Sequence, residues 1–214
     1  MSSLFNFGLA LAIALMVLQP ARAAEKARLL ILGDSLTAGY GLPSEDSFPA
    51  RLQDALEREG ISVDVINAGV SGDTTAGGLA RLDWALADRP SHVLVALGAN
   101  DGLRGLDPAL TESNLEQIIQ RLQQAGVKVM LAGMYAPPNL GREYGEAFNG
   151  MYPKLADRYD VPLYPFFLEE VATVPELNQA DGIHPNARGV DVMVQNIVPS
   201  LRAFIEGDAG ESHG

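Results

Sequence analysis

The stretch Arg28-Leu29-Leu30-Ile31-Leu32-Gly33-Asp34-Ser35-Leu36 decides the fold. An unbroken apolar run of this length is too short for a core helix, and its lack of polar alternation is that of a strand buried on both faces. It ends in glycine and small polar residues, the composition of a strand-to-helix turn. Four further runs, apolar almost throughout, follow at residues 63–66, 92–97, 127–132 and 161–165. Between them apolar residues recur every three or four positions, the helical period: Phe48, Leu52, Ala55 and Leu56, then Leu79, Leu82 and Leu86, then Leu115, Ile118, Ile119 and Leu122. A last helix follows Asn186, with Val190, Met193, Val194, Ile197, Leu201 and Ile205 in register and Pro199 expected to kink it. Strands alternating with helices specify βαβ units, so the expected architecture is a three-layer α/β/α sandwich with a parallel sheet of about five strands.

At 214 residues the chain fits one domain, and 47% hydrophobic with 20% charged residues is the balance of a folded globular protein. The formal net charge of −12 repels polyanions, which argues against nucleic acid as a partner. The absence of cysteine rules out disulfides, thiolate nucleophiles and thiolate metal sites. Residues 4–18 are almost wholly apolar and lead into Pro20 and the small-residue site Ala21-Arg22-Ala23, so residues 1–23 read as a secretory signal peptide. The apolar run falls short of the roughly 20 residues that span a bilayer as a helix. Met1-Ser2-Ser3 carries no Lys or Arg, which leaves an uncleaved anchor open beside that reading. The expected organisation is a leader at 1–23, one domain at 24–206 and an acidic, flexible tail at 207–214. A periplasmic or secreted location follows, without stable membrane insertion once the leader is removed.

In such a sheet ligands bind where strands end at their carboxyl termini, and there the sequence turns polar. The strands run into Gly33-Asp34-Ser35-Leu36, Asn67-Ala68-Gly69-Val70-Ser71-Gly72-Asp73 and Gly98-Ala99-Asn100-Asp101, and later comes Asp181-Gly182-Ile183-His184-Pro185. Ser35 in a strand-to-helix turn is placed as a nucleophile, although taken alone a helix cap is the more common role of such a serine. A serine nucleophile needs a base. His213 lies in the tail and His92 begins a strand at the end remote from the site, which leaves His184, with Asp181 three residues earlier to orient it. Asp-x-x-His is also an ordinary surface turn. Gly72 could bring a backbone N–H to an oxyanion and Asn100 a carboxamide N–H, although a turn glycine and a helix cap are the alternatives.

Together these blocks resemble the SGNH, or GDSL, hydrolases, in family order and across nearly the whole chain after the leader. Ser71-Gly72-Asp73-Thr74, Gly78-Leu79-Ala80-Arg81-Leu82, Asn100-Asp101-Gly102-Leu103-Arg104-Gly105, Tyr152-Pro153-Lys154-Leu155-Ala156 and Asp181-Gly182-Ile183-His184-Pro185-Asn186 are similar, within that family, to the bacterial periplasmic group described as acyl-CoA thioesterase I, lysophospholipase L1 or arylesterase. The resemblance implies the SGNH-hydrolase, flavodoxin-like form of the sandwich. It further implies Ser35 as nucleophile, His184 as base and then acid, Asp181 as its orienter, and an oxyanion hole of the Ser35 and Gly72 N–H groups with the Asn100 side chain. The implied substrate is a small-molecule ester or thioester with an acyl chain, cleaved through an acyl-serine without metal or organic cofactor. From their position after strands, Gly102, Leu103 and Leu106, with Pro138 in the apolar segment 134–140, are candidate acyl contacts. Three readings remain beside this one: a carbohydrate or small-ester deacetylase, a non-catalytic acyl- or carbohydrate-binding module, and a metal-dependent phosphoesterase using Asp34, Asn100, Asp101 and His184. A dinucleotide site at Gly39-Tyr40-Gly41 lacks the third glycine of that fingerprint.

Overall fold

A computed structural model describes residues 26–207. The leader and all but the first residue of the tail therefore lie outside the described residues. Five strands form one sheet: β1 (Ala27–Gly33), β2 (Val63–Gly69), β3 (His92–Ala96), β4 (Lys128–Ala132) and β5 (Leu163–Tyr164). Their order is β2-β1-β3-β4-β5 and every pairing is parallel. The three central strands are the apolar ones: Leu29 to Leu32, the whole of β3 and Val129 to Ala132 are buried, as a sheet covered on both faces requires.

The described residues also form eight α-helices, seven between strands and the last after β5: α1 (Ser35–Ala38), α2 (Phe48–Arg58), α3 (Thr75–Ala80), α4 (Leu82–Leu86), α5 (Ala99–Leu103), α6 (Pro108–Gln124), α7 (Arg142–Tyr159) and α8 (Ala187–Glu206). From β1 the chain first crosses to one side of the sheet and then to the other. Right-handed crossovers thus put α2 on one face and α3, α6 and α7 on the opposite one, and α8 returns to pack on α2. The reversal of direction at β1 opens the crevice between the carboxyl ends of β1 and β3, where such sheets bind ligands. Gly33 and Gly69 are register partners there. A Cβ on either would run into Thr37, so the paired glycines let the first turn of α1 sit directly on the strand ends.

The structure departs from the sequence reading in four places. The helix expected through Leu79, Leu82 and Leu86 is two helices, broken at Arg81, whose backbone leaves the helical region while its side chain reaches inward. Pro199 does not interrupt α8: the proline and the Gln195 carbonyl it leaves without an intrahelical donor are both on the exposed face. The last strand is two residues, not the 161–165 run, because Pro162 and Pro165 flank it and have no N–H to give the ladder. Finally, α7 was not read at all; Gly145, Gly150 and Pro153 mask it, although Phe148, Met151, Tyr152 and Leu155 carry the helical period on its buried face.

Candidate active site

Ser35 is the first residue of α1, directly after β1. Asp34 caps the helix by accepting from the Leu36 N–H at 3.0 Å, which holds the first turn rigid and leaves the Ser35 hydroxyl projecting. His184 arrives on the turn before α8. Asp181 Oδ1 accepts the backbone N–H groups of Ile183 and His184, both at 3.0 Å, so the carboxylate shapes the turn that carries its own partner. Its Oδ2 then lies 2.7 Å from His184 Nδ1, and His184 Nε2 lies 2.9 Å from Ser35 Oγ. The His184 bond and the two backbone donors hold the Asp181 carboxyl down to about 2. It therefore stays ionised, Nδ1 carries the ring proton, and Nε2 accepts from the serine. Three residues named from the sequence thus meet in one hydrogen-bonded line.

Asn100 is the second residue of α5, and its Nδ2 donates to the Asp73 carbonyl at 2.9 Å and to Asp34 Oδ2 at 3.1 Å. Burial lifts the Asp34 carboxyl to about 6 against the pull of the Leu36 N–H and of Asn100. Gly72 adopts φ +84°, a conformation that costs glycine little, and its carbonyl accepts from Arg104 Nη2 at 2.9 Å. The loop between them is held from behind. Arg81 Nε bonds Asp73 Oδ2 at 2.6 Å while Nη2 bonds the Gly33 carbonyl at 2.9 Å, so one half-buried guanidinium fastens the Gly72 loop to the end of β1. The buried Asp101 carboxylate accepts from Thr75 N at 2.9 Å and Thr75 Oγ1 at 2.6 Å. It is turned into the scaffold, away from the role of ligand that the phosphoesterase reading gave it. Among the described residues no group of three or more acidic or histidine side chains is placed to hold a metal ion.

The candidate acyl contacts fall into two kinds. Leu103 and Leu106 are exposed beside Asn100, and Pro138 is exposed in a 3-10 turn. Gly102 is buried, with Phe148 and Pro137 against it. It supports the loop from beneath and presents no surface, a correction to its place among the contacts. A Cβ on Gly105 would touch Leu140, so the 102–106 loop and the 134–140 segment do meet. His92 starts β3 at the opposite end of the sheet, packed edge-on to Phe204, and burial lowers it to about 4.

Sequence reasoning missed two side chains at the site. The Tyr40 ring lies against the His184 imidazole, centroids 4.5 Å apart. Arg81 stood in a quoted block but gave no sign that it was more than a helix-surface residue.

A three-layer α/β fold with a Ser-His-Asp line at the strand ends defines a serine hydrolase class, and comparison with known proteins places the chain within it. Residues 31–192 match the GDSL-like Lipase/Acylhydrolase family, and the chain belongs to that family. It is 50% identical over 165 residues to an arylesterase of Vibrio mimicus, covering 77% of this chain and 82% of that one. It is 45% identical over 195 residues to the thioesterase 1/protease 1/lysophospholipase L1 of Escherichia coli (strain K12), covering 91% and 92%. A crystal structure of TesA superposes with a TM-score of 0.79 at 44% identity, covering 83% of this chain and 99% of that one. The protein is an ester-bond hydrolase of this family.

Proposed function

We propose that the protein is an exported esterase and thioesterase that transfers an acyl group from its substrate to Ser35 and then to water. The observation that carries this is the unbroken line from Ser35 Oγ through His184 to Asp181, at 2.9 and 2.7 Å. As Oγ attacks the carbonyl carbon, its proton passes to His184 Nε2, and Asp181 steadies the imidazolium. The negative charge that develops on the carbonyl oxygen is met by the Ser35 and Gly72 N–H groups and by Asn100 Nδ2. Asn100 gives up the longer of its two resting bonds, the one to Asp34, to make this contact. His184 then protonates the departing alcohol or thiol, and a water activated by the same imidazole releases the acid from the acyl-serine.

Aryl esters, thioesters and lysophospholipids are the substrate classes that the names of its relatives suggest, and the exposed Leu103, Leu106 and Pro138 give an acyl chain an apolar surface beside the site. The leader at residues 1–23 supports export. Among the described residues no helix is long and apolar enough to cross a membrane. Outside the cytoplasm the esters and lysophospholipids are the substrates within reach. Hydrolysis of p-nitrophenyl butyrate by the wild type and by Ser35→Ala, with chelator in both, tests the reading: activity confined to the wild type supports it, and equal activity in both removes Ser35 as the nucleophile.

A further inference from the structure

His184 sits in a narrow antiparallel turn that Asn178 and Pro185 close. Buried Asn178 anchors the base of the turn, with Nδ2 donating to the carbonyls of Val171 and Val174 at 2.7 and 2.8 Å. The next residue, Gln179, works in two directions. Its backbone N–H donates to the His184 carbonyl at 2.7 Å. Its side-chain Nε2 donates to the Pro185 carbonyl at 3.0 Å and, 139 residues away in sequence, to the Tyr40 carbonyl at 2.8 Å. Tyr40 itself closes the turn after the nucleophile by donating its N–H to the Ser35 carbonyl at 3.3 Å. The fit is tight, since a Cβ on Gly41 would run into Gln179 Oε1.

We propose that Gln179 is a positioning residue for the reaction: its carboxamide ties the turn bearing His184 to the turn following Ser35, and so sets the distance between the two reacting side chains. The two turns are far apart in the chain, and the Ser35–His184 bond, a single hydrogen bond at 2.9 Å between the reacting atoms, is itself broken and remade during the reaction. Gln179 adds a second fastening that does not pass through the reacting atoms. It also brings the Tyr40 ring against one face of the imidazole, so the ring backs His184 where it must hold position while it gains and loses a proton. Gln179 touches no reacting atom. The inference rests on Ser35 and His184 acting as nucleophile and base.

The test uses the full domain with Gln179→Met, which keeps length and bulk but loses both Nε2 donors. A misplacement near 1 Å costs catalysis up to about 100-fold, so kcat for p-nitrophenyl butyrate is expected to fall roughly 10- to 100-fold with KM nearly unchanged. The rate at which an alkylphosphonate ester phosphonylates Ser35, which reads the serine-histidine pair without an acyl-binding step, falls in parallel. Gln179→Glu is a second variant of the same size. Its ionised carboxylate would face two carbonyl oxygens, so it is impaired at neutral pH and recovers relative to wild type as the pH falls and the carboxyl regains an O–H donor. A folded Gln179→Met protein whose kcat and phosphonylation rate match wild type overturns the proposal, as does a Gln179→Glu loss that is the same at every pH. Ser35→Ala in the same series separates this failure from a deeper one. If Ser35→Ala is active, the nucleophile is misassigned; if it is dead while Gln179→Met is normal, only the role of Gln179 is wrong.

Discussion

Asp34→Asn should remove a stability penalty that wild type carries at neutral pH. Asp34 is completely buried, and burial holds its carboxyl at about 6 against an ordinary 3.8. An acid whose folded value is raised stabilises the protein below its unfolded value and loses that contribution as the pH rises through the folded one. A displacement of this size corresponds to about 3 kcal/mol between the two limits. Roughly half of it, about 1.5 kcal/mol, falls between pH 5 and 7.5. Asparagine cannot ionise, so its profile should lack that slope. It has one acceptor oxygen for the two donors that Asp34 serves, Leu36 N–H and Asn100 Nδ2, and the lost bond costs about 1 kcal/mol at every pH. Urea unfolding of both proteins at pH 5 and 7.5 gives the difference. His92, lowered to about 4 by burial, adds stability as the pH rises through the same region, but it lies at the far end of the sheet and cancels in the comparison. Parallel profiles for the two proteins would refute the reasoning and show that Asp34 is not a strained carboxylate. A stability gain at pH 7.5 together with a fall in turnover would show why a buried charge is kept: it holds Asn100.

Asn100→Ala removes a donor to the developing oxyanion and should lower kcat about 100- to 1,000-fold with little effect on KM, read by steady-state kinetics. Asp181→Asn leaves the turn able to form but removes the charge that fixes the His184 tautomer, so kcat should drop by about 1,000-fold or more. Because the Asp181 carboxyl is held down to about 2, its protonation should not lower wild-type activity between pH 7 and 5, which a pH profile of kcat/KM checks. Leu106→Glu places a charge on the exposed apolar loop beside Asn100 and should depress hydrolysis of long p-nitrophenyl esters relative to the butyrate; an unchanged chain-length profile would remove that loop from the acyl site.

The fold was legible where one physical requirement dominated. Residues 29–32, 93–97 and 129–132 are apolar throughout because both faces of the central strands are covered, and the structure buries them accordingly. The readings that missed were set by tertiary contacts. Nothing local announces that the helix stops at Arg81, because the break serves bonds to Asp73 and to the Gly33 carbonyl, 48 residues away. The α7 pattern was present but diluted by residues that disfavour helices, and packing against α6 overrides them. At the site the chemistry-bearing residues were readable because serine, histidine and a carboxylate have few other reasons to share the ends of strands. Their supports were not. Tyr40 acts through its ring and its carbonyl, and Gln179 through donors aimed at carbonyls, so neither residue type points to its role. Gly102 looked like a loop residue beside Asn100, and only the packing of Phe148 shows it to be interior.

The central claim is that the acyl group passes through a covalent bond to Ser35. Acid quenching of the wild type during p-nitrophenyl butyrate turnover, followed by proteolysis and mass analysis, reads this directly. The account predicts a butyryl adduct on the peptide containing Gly33-Asp34-Ser35-Leu36, absent from Ser35→Ala. An active enzyme that yields no adduct there, or one that carries the adduct on another residue, would contradict it.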